Sequence, residues 1–120
     1  MLTAFLQVAL GGAAGSVLRF AVTLGAARAF GIGFPYGTLA VNVIGSFAMG
    51  VLAATLAPQV RPLLMTGLLG GFTTFSAFSL DALALWEAEE PVMAMVYVAG
   101  SVGLGLMALI AGTLAGRALA

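Results

Sequence analysis

The chain has no cysteine and no histidine, and among its 120 residues only four arginines and four acids carry charge. Without cysteine there is neither a disulfide nor a thiolate. Without histidine there is no imidazole metal ligand and no Ser-His-Asp triad. A charged fraction of 7%, against roughly 25% in a soluble domain, is too small to clothe a surface in water. Net charge is zero, and no basic patch points to nucleic acid. The N-terminus lacks a positive stretch ahead of its apolar run, so a cleaved secretory signal is not expected.

What is present is apolar: 62% hydrophobic residues and a mean hydropathy of +1.20. A membrane-spanning helix takes roughly 20 apolar residues, and four such helices fill this length. The expected architecture is an all-α membrane protein, one domain over residues 1–120, with spans at about 2–30, 36–56, 63–86 and 92–114. Two short loops, 31–35 and 57–62, and an acidic turn of Glu87, Glu89, Glu90 and Pro91 separate them. In the first span Gly11 and Gly15, and likewise Gly12 and Ser16, stand four apart, a spacing that lets helices approach closely in lipid. Arg19 lies about ten residues short of the end of that span. At that depth it must either snorkel as an anchor or face a polar cavity.

Charge distribution carries a further expectation. With four spans, Arg61 and Arg117 fall on one side of the membrane and Arg19 and Arg28 on the other. Orientation follows the Lys/Arg bias between short loops, and here two stand against two. Such a chain can insert both ways round. Two opposed copies make an antiparallel, dual-topology homodimer. No internal repeat is visible in the sequence, so any two-fold symmetry must come from a second copy.

The most unusual stretch is Gly70-Gly71-Phe72-Thr73-Thr74-Phe75-Ser76-Ala77-Phe78-Ser79, inside the third span. Paired glycines and paired threonines are poor material for a continuous helix, so a break is expected there. Unpaired backbone at membrane depth is tolerated where protein buries it or where it lines a cavity, and broken helices near the midplane accompany ion sites. The exposed carbonyls of a break suit a hard monovalent cation. Other polar groups in the spans are mostly donors. Asn42 is either interhelical glue or an amide lining a pathway. Phe75 and Phe78 share a helical face, either as packing residues or as ring edges, whose positive rim attracts anions. On the last span, Tyr97, Ser101, Gly105, Leu109 and Thr113 form one stripe of i, i+4 steps, a hydroxyl track with a gap. Paired carboxylates are absent from the spans, so nothing supports catalysis.

These residues resemble the Fluc (CrcB-type) fluoride channels of bacteria over essentially the whole chain. The resemblance rests on Gly11-Gly12-Ala13-Ala14-Gly15 followed by Arg19, on the run from Gly37 to Phe47 around Asn42, and above all on Gly70 to Ser79. It implies a passive, fluoride-selective channel in the bacterial inner membrane that lowers fluoride toxicity. The channel would be a dual-topology homodimer in the lipid bilayer, with two pathways. Asn42, Phe75, Ser76, Phe78, Tyr97 and Ser101 would line a pathway, and Arg19 would serve a vestibule or anchor a helix. A structural sodium ion would be held by the backbone carbonyls of Gly70 and Thr73. Gly105 and Leu109 depart from the family pattern, which often places further Ser or Thr there. The competing reading is a small proton-coupled exporter, of the multidrug type or a fluoride/proton exchanger. It needs a titratable group in the membrane, and Asp81, near an interface, is the only candidate.

Overall fold

The computed structural model describes all 120 residues, and every regular element is helical. Helix α1 runs Leu2–Phe30, and α2 Tyr36–Thr55. The third span is composite: a 3-10 turn at Pro58–Val60, a π-helical run at Pro62–Leu69, α3 at Gly70–Phe72 and α4 at Phe75–Glu87. Helix α5 runs Pro91–Leu119. Four helical stretches are therefore long and apolar enough to cross a membrane. At about 1.5 Å per residue, the 29 residues of α1 reach well beyond a hydrocarbon core of roughly 30 Å. Pro58 and Pro62, read from the sequence as loop, instead open helical turns. First-turn positions tolerate proline because their N–H groups have no helical partner in any case.

Two seams hold the bundle together. Along the first, α1 lies against the π-helical run and α3. A Cβ added at Gly11 would overlap the Leu63 carbonyl, one at Gly15 the Leu68 carbonyl, and one at Gly71 would sit 2.6 Å from the Gly12 carbonyl. Along the second, α2 lies against α5. There a Cβ at Gly112 would overlap the Phe47 carbonyl, and one at Gly116 would come within 2.8 Å of the Val51 carbonyl. Backbone-to-backbone approach of this kind is how helices associate in lipid, where burying apolar surface offers no gain.

Only 14 of the 120 residues are buried, so the rest of the chain must meet lipid or another protein surface. The large outward residues are mostly Leu, Val, Met and Phe, with Leu10, Phe20, Leu80 and Met107 each about two-thirds exposed. A small core gathers Leu85, Ala94 and Tyr97 where α4 meets α5, with Phe34, Leu39 and Phe78 packed around it.

Candidate functional site

The site is built around two residues that leave helical geometry. Thr73 (φ −86°, ψ 157°) and Thr74 (φ −153°, ψ 123°) are extended, between α3 and α4. The paired threonines have different tasks. Thr73 closes the upstream helix: its N–H and its hydroxyl both donate to the Leu69 carbonyl, at 3.0 and 2.9 Å. Thr74 opens the downstream one, its Oγ1 accepting from the Ala77 N–H at 3.1 Å. That is an ordinary N-cap, of a kind that contributes about 1 kcal/mol.

Asn42 on α2 holds the interruption from the side. Its Oδ1 accepts from the Thr74 N–H at 2.8 Å, and its Nδ2 donates to the Thr74 carbonyl at 3.0 Å. The amide thus supplies the ladder partner that an extended residue inside a helix bundle lacks. Thr74 N–H can meet only an oxygen, which fixes the orientation of the amide. Nδ2 keeps one N–H beyond the bond to Thr74. From the other side, Arg19 on α1 donates its Nε to the Gly71 carbonyl at 3.0 Å. The arginine thus reaches the interrupted backbone through its Nε.

Two carbonyls at the interruption remain free. Thr74 N–H turns to Asn42 and Ala77 N–H to Thr74 Oγ1, so no amide reaches the oxygens of Gly70 or Thr73. Gly70 is exposed and Thr73 half-buried. Uncharged oxygens of this kind suit a small hard cation.

Beside the interruption lies a cavity of about 260 Å³ lined by Asn42, Ser46, Thr73, Thr74, Phe75, Phe78, Ser101, Val102 and Gly105. Phe75 and Phe78 tilt toward one another, ring centroids 5.5 Å apart. Phe75 is 77% exposed in the single chain. The Ser101 hydroxyl is buried and has no hydrogen-bond partner. A buried hydroxyl without a partner costs roughly 1–3 kcal/mol, which makes it the least explained polar group in the fold.

Asn42, Phe75, Phe78 and Ser101, singled out in the sequence, share this cavity. Ser76 and Tyr97 do not line it. The Ser76 hydroxyl lies 3.3 Å from Thr74 Oγ1 on the exposed side. Tyr97 is 1% exposed and its O–H donates to Asp81 Oδ2 at 3.3 Å. Ser46, four residues after Asn42 on α2, also lines the cavity with Gly105 opposite. A Cβ at Gly105 would stand 3.7 Å from Ser46 Oγ. The hydroxyl missing from the α5 stripe at position 105 is thus matched by one from α2. Its spacing of four from Asn42 was the available signal. Thr113, last in the stripe, donates to the Leu109 carbonyl at 2.9 Å and belongs to the α2–α5 seam.

Comparison with known proteins adds a family. The family model described as "CrcB-like protein, Camphor Resistance (CrcB)" matches residues 6–113. A protein of Rhizobium etli (strain CIAT 652) named "Fluoride-specific ion channel FluC" is 56% identical over 126 aligned positions, covering 100% of both chains. One of the same name from Cereibacter sphaeroides (strain ATCC 17029 / ATH 2.4.9) is 54% identical over 120, covering 98% of this chain and 97% of its own. A third so named, from Paracoccus denitrificans (strain Pd 1222), is 56% identical over 119, covering 96% and 95%.

Proposed function

Because the chain belongs to the CrcB-like family, and is a multi-pass membrane protein with four spans, we propose that it is a fluoride-selective passive channel of the bacterial inner membrane, exporting fluoride down its gradient. The observation that carries this reading is the cavity beside Thr73 and Thr74, where an unpartnered hydroxyl, an amide and two phenyl rings meet. The names borne by the full-length relatives supply the ion.

The chemistry fits a small, strongly hydrated anion. Fluoride must shed water to pass and regain it to leave, so the pathway must bind it favourably but weakly. Ser101 Oγ–H and the second N–H of Asn42 Nδ2 are donors without charge. The edges of Phe75 and Phe78 add a positive rim and, being apolar, exclude bulk water. Ser46 extends the donor set along α2. Ser76 and Tyr97 complete the proposed pathway at its margins.

Phe75 is exposed in one chain, on an apolar surface that meets lipid or a partner. A second copy in the opposite orientation would cover it, and the even division of arginines supports that arrangement. The free carbonyls of Gly70 and Thr73 fit a sodium ion and would hold it with their counterparts from the second copy. When bound, the ion would supply a fixed positive charge that ties the two interrupted helices together. Asn42 Oδ1 and Thr74 Oγ1 keep those carbonyls free by taking up the Thr74 and Ala77 amides.

The test is efflux from proteoliposomes containing the purified protein, read with a fluoride electrode, with chloride run in parallel. Fast fluoride release without chloride release and without a proton gradient is the expected result. Absence of fluoride release from folded protein would overturn the reading.

A further inference from the structure

Six aromatic rings form an unbroken chain from the cavity to the first loop. Phe75 neighbours Phe78 at 5.5 Å, and Phe78 neighbours Tyr97 at 5.3 Å. Tyr97 meets Phe34 edge-on at 5.5 Å (87° between planes), Phe34 meets Tyr36 at 4.9 Å, and Tyr36 meets Phe30 at 5.3 Å. Beyond Tyr97 is a second cavity of about 180 Å³, whose polar side chains include Thr23, Thr38 and Asp81, with Phe34 beside them. Asp81 also borders a third, of about 230 Å³, with the loop residues Ile32, Gly33 and Pro35.

Tyr97 stands between the first two cavities. It touches Phe78, a wall of one, and Phe34, a wall of the other, and is 1% exposed. A route between them along this line of rings would require the Tyr97 ring to move. Its hydroxyl is engaged, since the O–H donates to Asp81 Oδ2 and a phenol has one proton to give. Ser101, one turn further along α5, keeps its hydroxyl free.

We propose that the fluoride pathway continues past Tyr97 into the cavity of Thr23, Phe34, Thr38 and Asp81, that Tyr97 is the barrier between its two parts, and that Asp81 is the positioning residue that latches it closed. The proposal rests on the channel reading above and assigns Tyr97 a different part in it. The ring obstructs, and its hydroxyl serves the latch in place of the ion. Releasing the latch lets the ring leave the passage more often, so flux rises.

The experiment is fluoride efflux from proteoliposomes for the wild type, Tyr97→Phe, Asp81→Ala, Asp81→Asn and the Tyr97→Phe/Asp81→Ala pair, with dimer content checked by size exclusion. Tyr97→Phe and Asp81→Ala should each raise fluoride efflux about fivefold, the rate equivalent of one hydrogen bond's net contribution. The pair should rise no further than either alone, because both remove the same bond. Asp81→Asn, whose amide oxygen still accepts, should rise less than Asp81→Ala. A purely structural contact would lower flux and dimer content together and would not distinguish Asn from Ala. Reduced efflux from a dimeric Tyr97→Phe protein, or full additivity in the pair, would overturn the latch. Tyr97→Phe keeps the packed ring, so it decides the matter if Asp81→Ala fails to fold. Wild-type protein that releases no fluoride would sink the channel reading instead.

Discussion

The α2–α5 seam and the interruption between α3 and α4 are made of the same residue types, glycine and threonine, and behave in opposite ways. Along the seam the glycines bring two regular helices into backbone contact, and Thr113 returns its hydroxyl to its own helix. At Gly112 and Gly116 the two backbones leave no space for a side chain. At the interruption, Gly70 and Thr73 keep free carbonyls and Ser101 a free hydroxyl. The difference is backbone regularity. A continuous helix satisfies its own amides, so its small residues serve only close approach. Two extended residues displace the amides, and polar groups are left without partners.

The comparison breaks first at the seam. Replacing Gly112 with Leu sets a side chain against the Phe47 carbonyl and should abolish monodisperse protein on size exclusion. Gly112→Ala should survive with a lowered melting temperature, at an overpacking cost of about 1–3 kcal/mol. Next comes Asn42→Ala, which removes both bonds to Thr74. Each buried backbone group left unpaired costs roughly 1–3 kcal/mol, so stability and fluoride flux should fall together, with thermal melting and electrode efflux on one preparation as the check. Phe75→Ile and Phe78→Ile should separate the two quantities. The dimer should persist while fluoride efflux falls at least about tenfold, the equivalent of about 1.4 kcal/mol on the barrier. Unchanged flux would remove the ring-edge role.

Two smaller effects sharpen the contrast. Exchanging sodium for choline should lower the melting temperature of the dimer, and the shift should be absent in protein already monomeric. Equal melting in both salts would leave the free carbonyls without an ion. Ser101→Ala should slow fluoride efflux about fivefold, one hydrogen bond's worth, while leaving the melting temperature equal or higher. Removing an unpartnered buried hydroxyl relieves a desolvation cost. A matched loss of stability would show that Ser101 has a structural partner.

Much of this was legible in the one-dimensional chain. Hydropathy alone placed four spans, because lipid demands continuous apolar helices. The weakness of Gly70 to Ser79 as helix material follows from intrinsic propensity. Asn42, Phe75, Phe78 and Ser101 stood out because polar or paired aromatic residues are scarce in such spans. Partnership was not legible. The sequence leaves Arg19 either to snorkel or to face a cavity, and only the fold brings its Nε to the Gly71 carbonyl 52 positions away. Tyr97 belongs to the hydroxyl stripe in the sequence, whereas in the fold its O–H is taken by Asp81, and Ser46 owes its place to the space that Gly105 leaves opposite it.

The sequence by itself determined what the bilayer imposes: four helices, a scarcity of charge, an even division of arginines, and a segment whose glycines and threonines disfavour an unbroken helix. Those are local and compositional properties, set by the cost of exposing a peptide group or a charge to lipid. Only the tertiary structure decided which polar groups are satisfied and which are left over. Asn42 and Arg19 take up one set of backbone groups at the interruption, while Gly70, Thr73 and Ser101 are left without partners. That allocation depends on which helices lie side by side, and residues far apart in the chain meet only once the helices have packed.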